Sequence, residues 1–218
     1  MNKKITLFAL AAVSAAVLAL PSMAMAVEED IPIHVVPKPA VASPITGGVW
    51  TMQTKSGTNL TCKEVKGSAT WASTTTGKTN LTFQNDCTEN LFGTSCGGIS
   101  TTELEFHLVT LPNSKPGVLI TPNAGHMVTL TCTGGFVKIV FRGNGLIGTI
   151  VSPSCGGEST TATVTFSQTA GVQNHKTVAG TATEYFLEAS VNGGPFVEAG
   201  WSETMTMTFE SKKKLECT

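Results

Sequence analysis

The feature that most limits what this chain can fold into is a two-residue period of apolar side chains that runs from Gly47 toward the carboxyl end. Over residues 103–111, Leu104, Phe106 and Leu108 fall on one side while Glu103, Glu105 and His107 fall on the other. That is the alternation of a half-buried strand. The same spacing recurs in Leu60 and Cys62, in Leu81 and Phe83, in Val128, Leu130 and Cys132, and in Val137, Ile139 and Phe141. It returns in Ala162, Val164 and Phe166, in Tyr185, Leu187 and Ala189, and in Met205, Met207 and Phe209. No part of the chain beyond residue 26 sustains an apolar stripe at helical spacing, so helix is expected only in short turns.

Strands this regular, separated by glycine-rich turns, predict an all-β domain. The expected form is a single disulfide-bearing β-sandwich of about 8–11 strands, with a closed β-barrel as the alternative. Thr133-Gly134-Gly135 and Asn192-Gly193 each join two strands, and Asn-Gly is the dipeptide favoured in a type I′ hairpin.

Ahead of this domain stand Lys3 and Lys4, an uncharged and mostly apolar run over residues 5–20, Pro21, and Ala24-Met25-Ala26. That order predicts a bacterial signal peptide over residues 1–26, cleaved after Ala26. The run is shorter than the roughly 20 apolar residues that cross a bilayer, so no membrane span is expected after cleavage. Residues 27–46 carry Pro32, Pro37, Pro39 and Pro44 and read as an extended tether. Residues 47–218 form the expected domain, secreted or held at the cell surface.

All six cysteines, Cys62, Cys87, Cys96, Cys132, Cys155 and Cys217, lie beyond residue 26. An even count in an exported chain predicts disulfides, three by default, with the connectivity open. Cys87 and Cys96 flank a short polar loop and make the easiest local bridge. There are no close cysteine pairs with partner histidines, so no metal is expected. After residue 26, fifteen acidic residues face twelve basic ones, a net charge of −3. A basic footprint is missing, and nucleic acid is not an expected partner.

Several short patterns imitate known sites. Gly143-Asn144-Gly145-Leu146-Ile147-Gly148 matches G-x-G-x-x-G, but a dinucleotide site needs the last glycine to open a helix. Here Thr149-Ile150-Val151 continues as strand, so the glycines read as a turn or bulge and no cofactor is expected. Gly93-Thr94-Ser95-Cys96-Gly97 matches G-x-S-x-G, yet no helix comes after it to complete a nucleophile elbow. His34, His107, His126 and His175 are scattered without ligand spacing, and Glu103 with Glu105 reads as an exposed strand face. No residue is assigned a catalytic role. Trp50, Trp71 and Trp201 are the candidate ligand-contact aromatics if exposed, with a place in the core as the alternative.

The strings Asn59-Leu60-Thr61-Cys62, Leu81-Thr82-Phe83-Gln84-Asn85-Asp86-Cys87, Cys96-Gly97-Gly98 and Leu130-Thr131-Cys132, with Arg142 to Gly148 and Met205 to Glu210, carry a resemblance over most of the chain. It resembles a group of secreted β-rich proteins of soil actinobacteria that has no assigned activity. The resemblance implies a shared scaffold of glycines and cysteines and supplies no catalytic residues. Cys155 and Cys217 stand outside the shared pattern, which implies that they pair with each other.

The function expected from these features is a non-enzymatic exported module that binds an extracellular or cell-envelope ligand, or that serves structurally. The alternative is a secreted hydrolase of glycans or esters.

Overall fold

A computed structural model describes residues 33–217 except 92, 98, 124–125 and 133–136. The expected signal segment, the start of the expected tether and the turn at 133–135 lie outside the described residues.

The described strands are β1 (Ile33–Val36), β2 (Ser43–Gly47), β3 (Trp50–Thr54), β4 (Asn59–Cys62), β5 (Glu64–Trp71), β6 (Thr76–Gln84), β7 (Cys87–Glu89), β8 (Ser95–Cys96), β9 (Ile99–Ser100) and β10 (Leu104–Thr110). They continue with β11 (Pro116–Pro122), β12 (His126–Thr131), β13 (Lys138–Gly143), β14 (Leu146–Ser152), β15 (Glu158–Phe166), β16 (Gln168–Thr169), β17 (Val172–Gln173), β18 (Leu187–Val191) and β19 (Val197–Cys217). The all-β expectation holds.

One set of antiparallel ladders closes on itself. β2 pairs β5, β5 pairs β6, β6 pairs β10, and β10 pairs β11. β11 then pairs β14, β14 pairs β15, β15 pairs β19, and β19 returns to β2 with Met207 opposite Ile45. The result is an eight-stranded barrel, the alternative expected from the sequence, and not an open sandwich. Closure removes the free edges that a sandwich would have to protect.

A second sheet runs β12-β13-β18-β19-β3-β4-β7-β8. Its outer strands meet at the Cys96–Cys132 bridge. Sequence patterning predicts fewer strands because some long runs bend and serve both sheets. β19 shows this most fully: residues 197–202 lie in the second sheet between β18 and β3, and residues 203–208 lie in the barrel between β15 and β2. Asn85 and Asp86, both at positive φ, make the bend from β6 to β7, a conformation that Asn and Asp tolerate. Asn144-Gly145 makes the bend from β13 to β14, so the G-x-G-x-x-G glycines do serve a turn. A Cβ at Gly148 would strike Val164 and Phe166.

Four of the six cysteines form one transverse row. Cys62 bonds to Cys87, Cys87 is the backbone partner of Cys96, and Cys96 bonds to Cys132. The expected Cys87–Cys96 bridge is therefore corrected. Those two residues are neighbours across a ladder, and their sulfurs turn outward to β4 and to the end of β12. All four are buried. Cys155 pairs with Cys217, as the resemblance implies.

The expected tether also needs correction. β1 pairs the end of β19, and β2 is a barrel strand with Ser43 and Ile45 buried. Pro44 is tolerated because the ladder to β19 begins at Ile45, so one side of the strand asks for no donor at that residue.

On β15 and β19 threonine and apolar residues divide between the barrel's two surfaces. Thr161, Thr163 and Thr165 on β15 face Thr208, Thr206 and Thr204 on β19. The Thr165 and Thr204 hydroxyls lie 3.0 Å apart. Ala162, Val164, Met205 and Met207 point the other way, into the barrel.

Candidate functional site

The inward positions of the barrel strands are almost entirely apolar. Ile45, Leu81, Phe106, Leu108, Val118 and Ile120 supply one part of the wall, and Ile150, Val164, Met205 and Met207 supply the rest. An eight-stranded barrel is just wide enough either to be filled by its side chains or to hold one small ligand. Here the filling is incomplete, and a cavity of about 60 Å³ remains. One water needs on the order of 10–15 Å³ and two to four polar partners. The space is several times larger than that, and its walls offer water little to bond.

An aromatic layer closes one end of the barrel. Phe166 packs on Trp201 at 5.9 Å, Trp201 meets Phe83 at 5.1 Å and Trp50 at 5.7 Å, and Trp50 stacks on Phe83 at 4.2 Å. These are the largest side chains of the core, and they fill the junction between the two sheets.

The other end carries a cap. Thr208 of β19 stands opposite Thr161 and Lys213 opposite Ser159, so the intervening residues 209–212 bulge out of the ladder. The bulge bends the strand. Beyond it Lys213 and Leu215 roof the cavity together with Val35 of β1 and Pro153. The Gly156 N–H donates to the Leu215 carbonyl at 2.6 Å, and the Leu215 N–H to the Gly157 carbonyl at 3.0 Å. Cys155–Cys217 staples the same two segments. Glu210 accepts the Lys213 ammonium at 2.7 Å and the Ala40 N–H at 3.0 Å. These partners hold its carboxyl down at about 2.

The candidate aromatics divide between these features. Trp50 and Trp201 are both 0 % exposed and belong to the closing layer, so neither is a surface platform. Trp71 is 9 % exposed and lines the cavity. It stands edge-on to Phe106 at 4.8 Å and tilted to Phe209 at 6.3 Å, and both of those rings share the cavity wall. Its Nε1–H has no acceptor.

One buried acid lies beneath the aromatic layer. Glu203, 4 % exposed, stands opposite Phe166 and on the same face of β19 as Trp201 and Met205. Neither carboxylate oxygen has a hydrogen-bond partner. Burial pushes its carboxyl up to about 8; the Trp201 side chain, short of hydrogen-bonding geometry, opposes that shift. The acid is therefore neutral over most of the physiological range. A Cβ at Gly47 would strike Oε1, so the glycine leaves the carboxyl its present place.

The imitated sites do not assemble. Ser95 lies on β8, which pairs β7 and leads to β9 without a helix. Glu103 binds Lys78 at 2.6 Å and Asn123 at 3.2 Å. Glu105 and His107 alternate with the inward Phe106 on β10; burial lowers the His107 pKa, against the pull of Glu105. His34 bonds Thr74 and His175 bonds Thr149, whereas the side chain of His126 lies outside the description. Among the described residues no three His, Cys, Asp or Glu side chains converge on a metal position.

Sequence reasoning misses the cavity, the cap and Glu203. One signal for the acid is legible: Glu203 has the same parity as Trp201, Met205, Met207 and Phe209, so a carboxylate occupies the inward register. No protein-family model, curated protein or solved structure matches this chain.

Proposed function

We propose that the chain is an exported, non-enzymatic binding protein whose barrel takes up one small apolar molecule. The observation that carries this reading is the capped apolar cavity. Native cores rarely leave voids larger than a water molecule, because unfilled space forfeits dispersion contacts. Met205 and Met207 add unbranched walls that adapt to a guest. The leader over residues 1–26 and the three disulfides support a site of action outside the cytoplasm. Amino-terminal sequencing of the exported product is expected to begin at Val27; a start elsewhere, or retention of the leader, would contradict that placement.

A cyclic hydrocarbon such as methylcyclohexane is expected to raise the thermal midpoint, since a ligand at a hundred times its Kd stabilises by about 2.7 kcal/mol. Ala162→Leu places a larger side chain in the cavity. It is expected to raise the stability of the free protein by about 1 kcal/mol and to abolish the ligand shift. An unchanged midpoint in the native protein at ligand saturation would sink the proposal.

The stapled cap stands at one end of the cavity. Cys155 is exposed and Cys217 half-buried, in contrast to the four cysteines of the row. A mild thiol reductant is expected to open Cys155–Cys217 first, as mass mapping of alkylated cysteines would show. The Cys155→Ala/Cys217→Ala variant is expected to exchange ligand faster at unchanged far-ultraviolet dichroism. Equal exchange rates would mean that the staple does not govern access.

A further inference from the structure

The character of the ligand's one polar group can be read from the cavity wall; this inference rests on the binding function proposed above. Two independent observations meet at Trp71. Its ring lines the cavity between Phe106 and Phe209, and its Nε1–H is buried without an acceptor. A buried donor left unmade carries its full desolvation penalty, and an orphan of this kind in a native protein calls for an explanation. Trp50 and Trp201 also keep unpaired Nε1–H groups, but those rings are sealed in the aromatic layer and do not border the cavity. Of the three indoles, Trp71 is the one whose ring borders the cavity.

The cations of the roof narrow the choice further. Lys213 is committed to Glu210 Oε1 at 2.7 Å and to Ser211 Oγ at 3.1 Å, and Lys214 to Glu216 at 3.0 Å. Both ammonium groups lining the site already have partners, and an anionic ligand would have to be desolvated without a counter-charge, which is costly. The hydroxyl of Thr79, the other polar side chain of the wall, is spent on the Ser68 carbonyl.

We propose that the barrel selects a small uncharged molecule that is apolar except for one hydrogen-bond acceptor, such as a ketone, ester or ether oxygen, and that Trp71 Nε1–H donates to that acceptor. Cyclohexanone and methylenecyclohexane test this directly, because they share a shape and differ in an oxygen replaced by a CH₂ group. The readout is the ratio of their affinities in the native protein compared with Trp71→Phe. That ratio is expected to favour the ketone by about tenfold more in the native protein than in the variant, the equivalent of one hydrogen bond. Equal ratios in the two proteins would overturn the role of Trp71 while leaving cavity binding intact. If neither compound binds the native protein, the binding function fails and this inference fails with it. Should Trp71→Phe not fold, the indole ¹⁵N–¹H resonances of the native protein decide. Cyclohexanone is expected to move the Trp71 resonance and leave those of Trp50 and Trp201 in place, and methylenecyclohexane is expected to move it much less. Equal displacement by both compounds contradicts the hydrogen bond.

Discussion

Replacing Glu203 with glutamine is expected to flatten the fall in stability that the native protein shows between about pH 4.5 and pH 8. In the unfolded chain this carboxyl titrates near 4.5, and in the folded protein burial raises it to about 8. Across that window the folded state holds a proton that the unfolded state releases. Stability is therefore complete below the lower value and declines as pH rises, until the charged acid is fully penalised above the upper one. A difference of about 3.5 pKa units at about 1.36 kcal/mol each sets an upper limit near 5 kcal/mol. Glutamine keeps the shape of the neutral acid and cannot ionise. Chemical denaturation of both proteins at acid, neutral and mildly alkaline pH separates the effect from other titrating groups, because only the difference between the two curves is read. Parallel curves would mean that Glu203 is solvated or paired in solution.

Loss of the Cys96–Cys132 bridge is expected to cost more than loss of Cys155–Cys217. The two bridges span 36 and 62 residues, and the chain-entropy treatment assigns about 4 kcal/mol to each. On that ground alone the longer loop would weigh slightly more. Cys96 and Cys132 are buried, however, and their bridge joins the outer strands of the second sheet. Removing both sulfurs adds a packing defect to the lost constraint, while the exposed staple on the cap leaves no comparable void. Denaturant unfolding of the Cys96→Ala/Cys132→Ala and Cys155→Ala/Cys217→Ala variants gives the order, and a larger loss from the cap pair would contradict the account of the second sheet.

These two groups also mark where the sequence is informative and where it is not. Alternation places Leu104, Phe106 and Leu108, or Met205 and Phe209, on buried faces, because side-chain parity in a strand is a local property. The glycines of Gly143 to Gly148 are legible for the same reason, since Thr149, Ile150 and Val151 continue the chain as strand. Closure of the barrel is not legible, since it depends on β19 meeting β2 across some 160 residues, a pairing that leaves no local mark. Cys87 and Cys96 are close in sequence and become ladder neighbours, yet the direction of their sulfurs is set by β4 and β12. Pro44 suggests a tether and sits in a barrel strand, because whether a proline is tolerated depends on which neighbour needs its donor. The tryptophans could have been surface platforms or core, and only packing against Phe83, Phe106 and Phe166 decides.

The barrel holds an apolar space, and the proposed function requires that a guest can enter it. Xenon enters dry apolar cavities without needing any polar contact, so it probes the space independently of ligand chemistry. Crystals of the native protein pressurised with xenon are expected to show one ordered atom within the barrel, among Trp71, Phe106, Ile120 and Phe209, and crystals of Ala162→Leu are expected to show none there. A native barrel that takes up no xenon, with the site filled by its own side chains, would contradict the claim.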